Sequence, residues 1–139
     1  MKKLLLTLLL TVMSVMAGMA SVVLNSTNFP DAAFRAEISS ITGVAEGGMI
    51  SDAQLQSVTI IIVVSKGITS LKGVEYFTAL TELDCPINQL STLDVSHNTS
   101  LTSLNCFNNQ LTSLDVSHNT ALTSLWCNNN QLIDRKSVV

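Results

Sequence analysis

The sequence predicts a solenoid of short, mainly β repeats of 21 residues, opened by a small α-helical N-terminal cap. Three observations predict it. Leucines recur with one fixed period through the second half of the chain. The composition is 47% hydrophobic but only 4% aromatic and 12% charged, which suits a repetitive aliphatic core better than a mixed globular one. Residues 28 to 57 carry helix start and stop signals and no repeat.

The first element is an export signal. Met1-Lys2-Lys3 gives a basic start, and Leu4 to Met16 is an apolar run broken only by Thr and Ser. Gly18-Met19-Ala20 then offers small residues at a peptidase site, so residues 1–20 are expected to be a signal peptide cleaved before Ser21. The run is too short for a stable membrane span. No Cys follows it that could carry a lipid, so the mature chain is expected to be exported, either secreted or held at the outer cell surface.

Residues 21–57 form the expected cap. Asn28, Pro30 and Asp31 open a helix, Phe34, Ile38 and Ile41 sit at helical spacing along it, and Gly43 closes it. Ser51-Asp52-Ala53-Gln54 is a capping box that opens a second short helix through Leu55. Gly48 and Ile50 fit the glycine and apolar positions of a calcium-binding helix–loop–helix. Its ligand positions would be Gly43, Ala45, Gly47 and Gln54. None is a carboxylate, and a hard cation needs charged oxygen ligands, so no metal and no cofactor are expected.

Residues 58–133 carry the repeats. Leu80, Leu101 and Leu122 stand 21 residues apart, as do Leu83, Leu104 and Leu125; Cys85, Cys106 and Cys127; Asn88, Asn109 and Asn130; and Leu90, Leu111 and Leu132. Each copy reads L-x-x-L-x-C-x-x-N-x-L, a leucine-rich repeat with Cys at its third apolar position. A degenerate copy uses Val58, Ile61, Val63, Ile68 and Leu71, with Lys66 in place of the Asn. Inside each unit the spacing repeats again, as Leu90, Leu93, Val95 and Asn98, and as Leu111, Leu114, Val116 and Asn119. Each turn is therefore two strand-like halves, with little or no helix on the convex side. Alternation buries Leu83 and Cys85 and turns Glu82, Asp84 and Pro86 outward. One such turn cannot cover its own apolar face, but stacked turns make a continuous core. The inward Asn is expected to bond backbone groups that the tight turn leaves unpaired.

At residues 134–139 the template fails. Arg135 falls where a buried Leu belongs. This tail is expected to be foreign to the repeat, resembling translated read-through of a sequencing adapter, with the natural chain continuing beyond it.

A net charge of −3 and a pI near 5.1 leave no basic stripe to neutralise phosphates, which excludes a nucleic-acid binder. The three Cys share one inward position on parallel turns, which favours buried thiols over disulfides or zinc. His97 and His118 stand in the phrase D-V-S-H-N beside Asp94, Ser96, Asp115 and Ser117. A Ser–His–Asp relay needs one asymmetric site, whereas these are periodic copies of a surface, so catalysis is not expected.

The repeat does not dictate residue type on the outward strand positions: Glu82, Asp84, Pro86, Ser103, Asn105, Phe107, Ser124, Trp126 and Asn128. Phe107 and Trp126 are aromatics on adjacent turns, flanked by amides and carboxylates, a composition suited to recognition of protein or sugar. The candidate ligand-binding concave face is Glu82, Asp84, Asn105, Phe107, Trp126 and Asn128. Ile60, Ile62 and Val64 are apolar on the same face of the first turn and are expected to lie under the cap.

The phrase LTxLDVSxNTxLTxLxCxxNQL, from Ile68 to Leu132, resembles the exported leucine-rich repeat proteins of Bacteroidetes-type bacteria, which are similar to internalin and BspA-like surface proteins. NFPDAAFR and KGITSLKGVEYFTALTELDC resemble the N-terminal part of such proteins. The resemblance covers nearly all of residues 28 to 132. It implies a non-catalytic binding scaffold, secreted or displayed at the cell surface, that mediates adhesion or binds a host or cell-surface protein. The alternative it leaves open is a carbohydrate-binding or structural module of a larger cell-envelope protein.

Overall fold

The computed structural model describes residues 21–133; residues 1–20, where a signal peptide is expected, and residues 134–139 lie outside the described residues. Strand β1 (Val22–Val23) pairs antiparallel with β2 (Met49–Ile50), which follows helix α1 (Ala32–Thr42). Helix α2 (Asp52–Ser57) leads into β3 (Ile60–Ile62), β4 (Glu82–Asp84), β5 (Ser103–Asn105) and β6 (Ser124–Trp126). These last four strands form one parallel sheet in the order β3-β4-β5-β6.

Both helices start and stop for local reasons. The Asp31 side chain accepts the N–H of Phe34, which is otherwise unpaired in the first turn of α1, and Gly43 ends the helix at φ 72°. Ser51 and Gln54 complete the capping box of α2 reciprocally. Phe34 and Ile38 are fully buried, but Ile41 stays exposed at the last turn of α1 instead of joining them. The β1–β2 pair has no counterpart in the sequence reading. Two residues per strand are too few to show a hydrophobic period.

The helices join the first turn through its return side. The second carboxylate oxygen of Asp31 accepts bonds from the Thr69 N–H and hydroxyl, both at 2.8 Å, and from the Ser70 N–H at 3.3 Å. Burial pushes the Asp31 carboxyl upward, but the bonds from Phe34, Thr69 and Ser70 together hold it below the ordinary carboxylate range. Lys66 pairs with Glu37 at 2.8 Å, and the Phe29 ring packs on Tyr76 and Phe77. All of these contacts lie on residues 66 to 77, away from the outward face of β3. The expectation that the helices cover Ile60, Ile62 and Val64 is therefore corrected. These side chains are 48%, 54% and 38% exposed, because the helices dock behind the strand rather than over it.

In the repeats, period two and period 21 act together. Ile61 pairs in register with Leu83, Leu83 with Leu104, and Leu104 with Leu125. The degenerate first copy fits the same core, since Val58, Ile61, Val63, Ile68 and Leu71 are all buried. Burying each such aliphatic side chain contributes roughly 1.5–3 kcal/mol. Burial fades in the last turn, where Leu125 is 41% exposed.

The second half of each turn departs from expectation. It contains no strand, only extended chain and turns, and a short 3-10 helix (Val74–Tyr76) in the first unit. Backbone bonds join its turns at the start, from Gln110 to Leu90 and from Gln131 to Leu111, and further along side chains take over. Asn98 Nδ2 donates to the carbonyls of Val74 and Phe77, and Asn119 Nδ2 donates to those of Val95 and Asn98. A second asparagine column thus replaces the missing sheet.

The first column, at Asn88, Asn109 and Asn130, closes the concave turns. Asn88 Nδ2 bonds the carbonyls of Val63 and Cys85, while its Oδ1 accepts the N–H groups of Lys66 and Ile68. That reach explains how the first turn tolerates Lys66: the neighbouring Asn satisfies its backbone. Immediately before this column every turn passes through left-handed backbone, at Ser65, Ile87, Asn108 and Asn129, with φ of 55–56°. Asn adopts that region readily, whereas a β-branched residue is strained there by roughly 1–2 kcal/mol. Ile87 is also solvent-exposed, so its side chain gains little in return. Ile87→Asn is expected to stabilise the chain by about 1 kcal/mol, read as a rise of several degrees in thermal midpoint. An unchanged or lower midpoint would show that the exposed Ile makes compensating contacts.

Candidate functional site

Parallel pairing in strict register turns the outward residues into rows that run across the sheet. One row is Ile62, Asp84, Asn105 and Trp126; the next is Ile60, Glu82, Ser103 and Ser124. Neighbours in a row are separated by the strand spacing of ~4.8 Å. Because the inward Leu holds each strand, outward side chains are fixed at their bases.

The structure brings the six candidate residues into one concavity. Glu82, Asp84, Ser103, Asn105, Phe107, Trp126 and Asn128 line a groove of about 440 Å³. Trp126 is 52% exposed and Phe107 half-buried, which gives the groove an aromatic end. Asn105 Oδ1 accepts the Phe107 N–H at 3.1 Å, tying the amide to the aromatic's own backbone. Asp84 Oδ1 is shielded from solvent and has no hydrogen-bond partner among the described residues. A carboxylate oxygen stripped of water is costly unless a donor meets it.

Pro86, expected on the same face, is buried instead. It sits where β4 ends and the chain turns, and its register neighbours Val64 and Phe107 carry larger side chains on either side of its compact ring. The sequence reading also lacked the threonines that lead each strand in. Thr81, Thr102 and Thr123 each bond the preceding turn's Thr carbonyl (Thr59, Thr81 and Thr102) through both N–H and hydroxyl. The signal was present in the repeated L-T-x-L.

Behind the groove, the three Cys stack as free thiols, Cys85 and Cys106 buried and Cys127 partly so. Burial pushes the Cys106 thiol up to about 11 and that of Cys85 higher still. Thiols so far from ionising are poor nucleophiles and pack as small apolar groups. Among the described residues no three His, Cys, Asp or Glu side chains gather as a metal site.

His97 and His118 lie off the groove, in shallow depressions beside Asp94 and Asp115. Ser96 and Ser117 hydroxyls meet His97 and His118 at Nδ1, while the Asp carboxylates accept the serine N–H groups. A relay needs the carboxylate on one ring nitrogen and the serine on the other. Here the carboxylate is committed to a backbone turn.

Fold and site together define a leucine-rich repeat solenoid with a polar and aromatic groove on its concave sheet. The family model "Leucine Rich repeats (2 copies)" matches residues 99–136. Over 70 residues the chain is 40% identical to Internalin J of Listeria monocytogenes, a stretch that is 50% of this chain and 8% of that protein. Its fold superposes with a TM-score of 0.76 and 36% identity on the functional domain of InlJ from Listeria monocytogenes, described as including a cysteine ladder. That match covers 85% of this chain and 26% of the other. The internalin inlF of the same species shares the fold, with a TM-score of 0.75, 24% identity, and 84% and 35% of the two chains covered. The chain is thus similar to internalins over the matched stretch and spans only a small part of these relatives' length.

Proposed function

We propose that the chain is a non-catalytic binding scaffold whose concave groove captures a protein ligand at the outer cell surface or in the secreted state. The observation that carries this reading is the convergence of Glu82, Asp84, Asn105, Phe107, Trp126 and Asn128 on one groove. Rigid aromatic anchors ringed by polar groups concentrate binding energy at interfaces. Similarity to internalins supports a protein–protein interaction scaffold. The basic and apolar start of the sequence supports export, and its phrases support a Bacteroidetes-type, BspA-like origin. In this reading α1 and α2 cap the first turn, whose buried Ile61 and Val63 face their side of the solenoid.

A second reading, carbohydrate binding, rests on Trp126 standing between the amides of Asn105 and Asn128. One comparison separates the two. Beads coated with the chain are scored for adhesion to cultured cells, and the same preparation is applied to a glycan array. Trp126→Ala is expected to lower cell adhesion by roughly tenfold or more while leaving the thermal midpoint within a few degrees, because the ring is half exposed. Loss of a glycan signal with adhesion intact would favour the sugar reading. Adhesion and glycan signal both unchanged in Trp126→Ala would remove the groove from the function.

A further inference from the structure

The concave sheet is graded across its strands. β3 presents Ile60 and Ile62, half exposed; β4 presents Glu82 and Asp84; β5 presents Ser103 and Asn105; β6 presents Trp126. No Lys or Arg stands at an outward position of any of the four strands. The middle of the face therefore carries two carboxylates with no cation on the sheet to neutralise them. Asp84 Oδ1 is both shielded and unpartnered, as described above.

We propose that the groove recognises an extended polypeptide segment in which an arginine or lysine is flanked, two residues to either side, by apolar side chains. This rests on the reading of the groove as a protein-binding site. The spacing supports it. The row from Ile62 to Trp126 crosses three strand intervals, ~14 Å in all. An extended peptide places side chains on one face every ~6.8 Å, so three alternate residues span ~14 Å. The first apolar residue covers Ile62, the cation falls between Asp84 and Asn105 within reach of Glu82, and the second apolar residue meets Trp126. A guanidinium there can donate to both carboxylates inside the groove that Phe107 and Trp126 also line. A glycan would use the aromatics and carboxylates but gain nothing from the isoleucines, and an anionic ligand would meet repulsion.

Trp126 is the only Trp in the chain, so its fluorescence reports groove occupancy directly. The test titrates the full chain with a capped isoleucine–serine–arginine–serine–leucine peptide and with the same peptide bearing neutral citrulline for arginine. The arginine peptide is expected to shift Trp126 emission and to bind at least about tenfold more tightly than the citrulline peptide. The double variant Glu82→Gln, Asp84→Asn is expected to erase that difference without lowering the thermal midpoint, since it removes the unpartnered charge at Asp84. Equal affinity for both peptides would overturn the cation preference yet leave a polypeptide groove in place. No emission change with either peptide up to about 1 mM would overturn the inference altogether. The adhesion of Trp126→Ala then decides the wider reading on its own.

Discussion

Asn109→Ala is expected to destabilise the chain by about 2–4 kcal/mol, seen as a fall in the urea midpoint with little change in slope. Asn109 Oδ1 accepts the buried Leu90 N–H at 3.0 Å, and its Nδ2 donates to the carbonyls of Cys85 and Cys106, both at 3.1 Å. The carbonyls are insured, because Asn88 also bonds Cys85 and Asn130 also bonds Cys106. The Leu90 N–H has no second partner among the described residues, so the alanine variant leaves it buried and unpaired. Most of the cost sits there. Asn109→Asp sharpens the test. It keeps the shape and the acceptor but turns a donor toward two carbonyls into a charged acceptor. It is expected to be at least as damaging as Ala despite the closer fit. The same change at Asn130, half-buried in the last described turn, should cost distinctly less. A loss below about 1 kcal/mol for Asn109→Ala would mean that the ladder aligns turns without stabilising them.

Gly73→Ala is the second large effect, expected at about 2–4 kcal/mol from two causes that add. Gly73 sits at φ 108°, which side chains rarely adopt, and an added Cβ would overlap the Phe29 ring. Phe29 cannot retreat, being fully buried between Phe34, Tyr76 and Phe77 with ring centroids 5.7–6.4 Å away. Gly73 is thus where the return half of the first turn passes against the helical segment. The two causes separate in a double-mutant cycle. In a Phe29→Leu background the clash is relieved and the backbone strain remains, so Gly73→Ala should cost roughly half as much there. Equal costs in both backgrounds would show that backbone strain alone is responsible.

Much of this architecture was legible residue by residue. The 21-residue spacing of Leu83, Leu104 and Leu125 forecast the register of β4, β5 and β6, because a strand has period two and its neighbour must match it to bury Leu. Asp31, Gly43, Ser51 and Gln54 forecast both helices, since capping is a local transaction between a side chain and the nearest orphan N–H. The groove was legible by subtraction. Once the repeat accounts for the inward positions, Phe107 and Trp126 are left on the outward ones.

What was misread depended on partners distant in the chain. Leu93-x-Val95 has the spacing of a strand, yet strands exist only where a neighbour supplies hydrogen bonds, and on the return side Asn98 and Asn119 supply them instead. Whether Ile60 and Ile62 were covered turned on where Asp31 and Glu37 anchor the helices, a matter of contacts nearly 30 or 40 residues apart. Pro86 is buried because of its neighbours in register, not its own polarity. Repeat, strand alternation and helix caps follow from interactions within a few residues or one period, so they are written in the order of residues. The direction in which the helices dock, the ladder that replaces a second sheet and the shielding of Asp84 arise from which surfaces meet when the turns stack, and only the folded chain sets that.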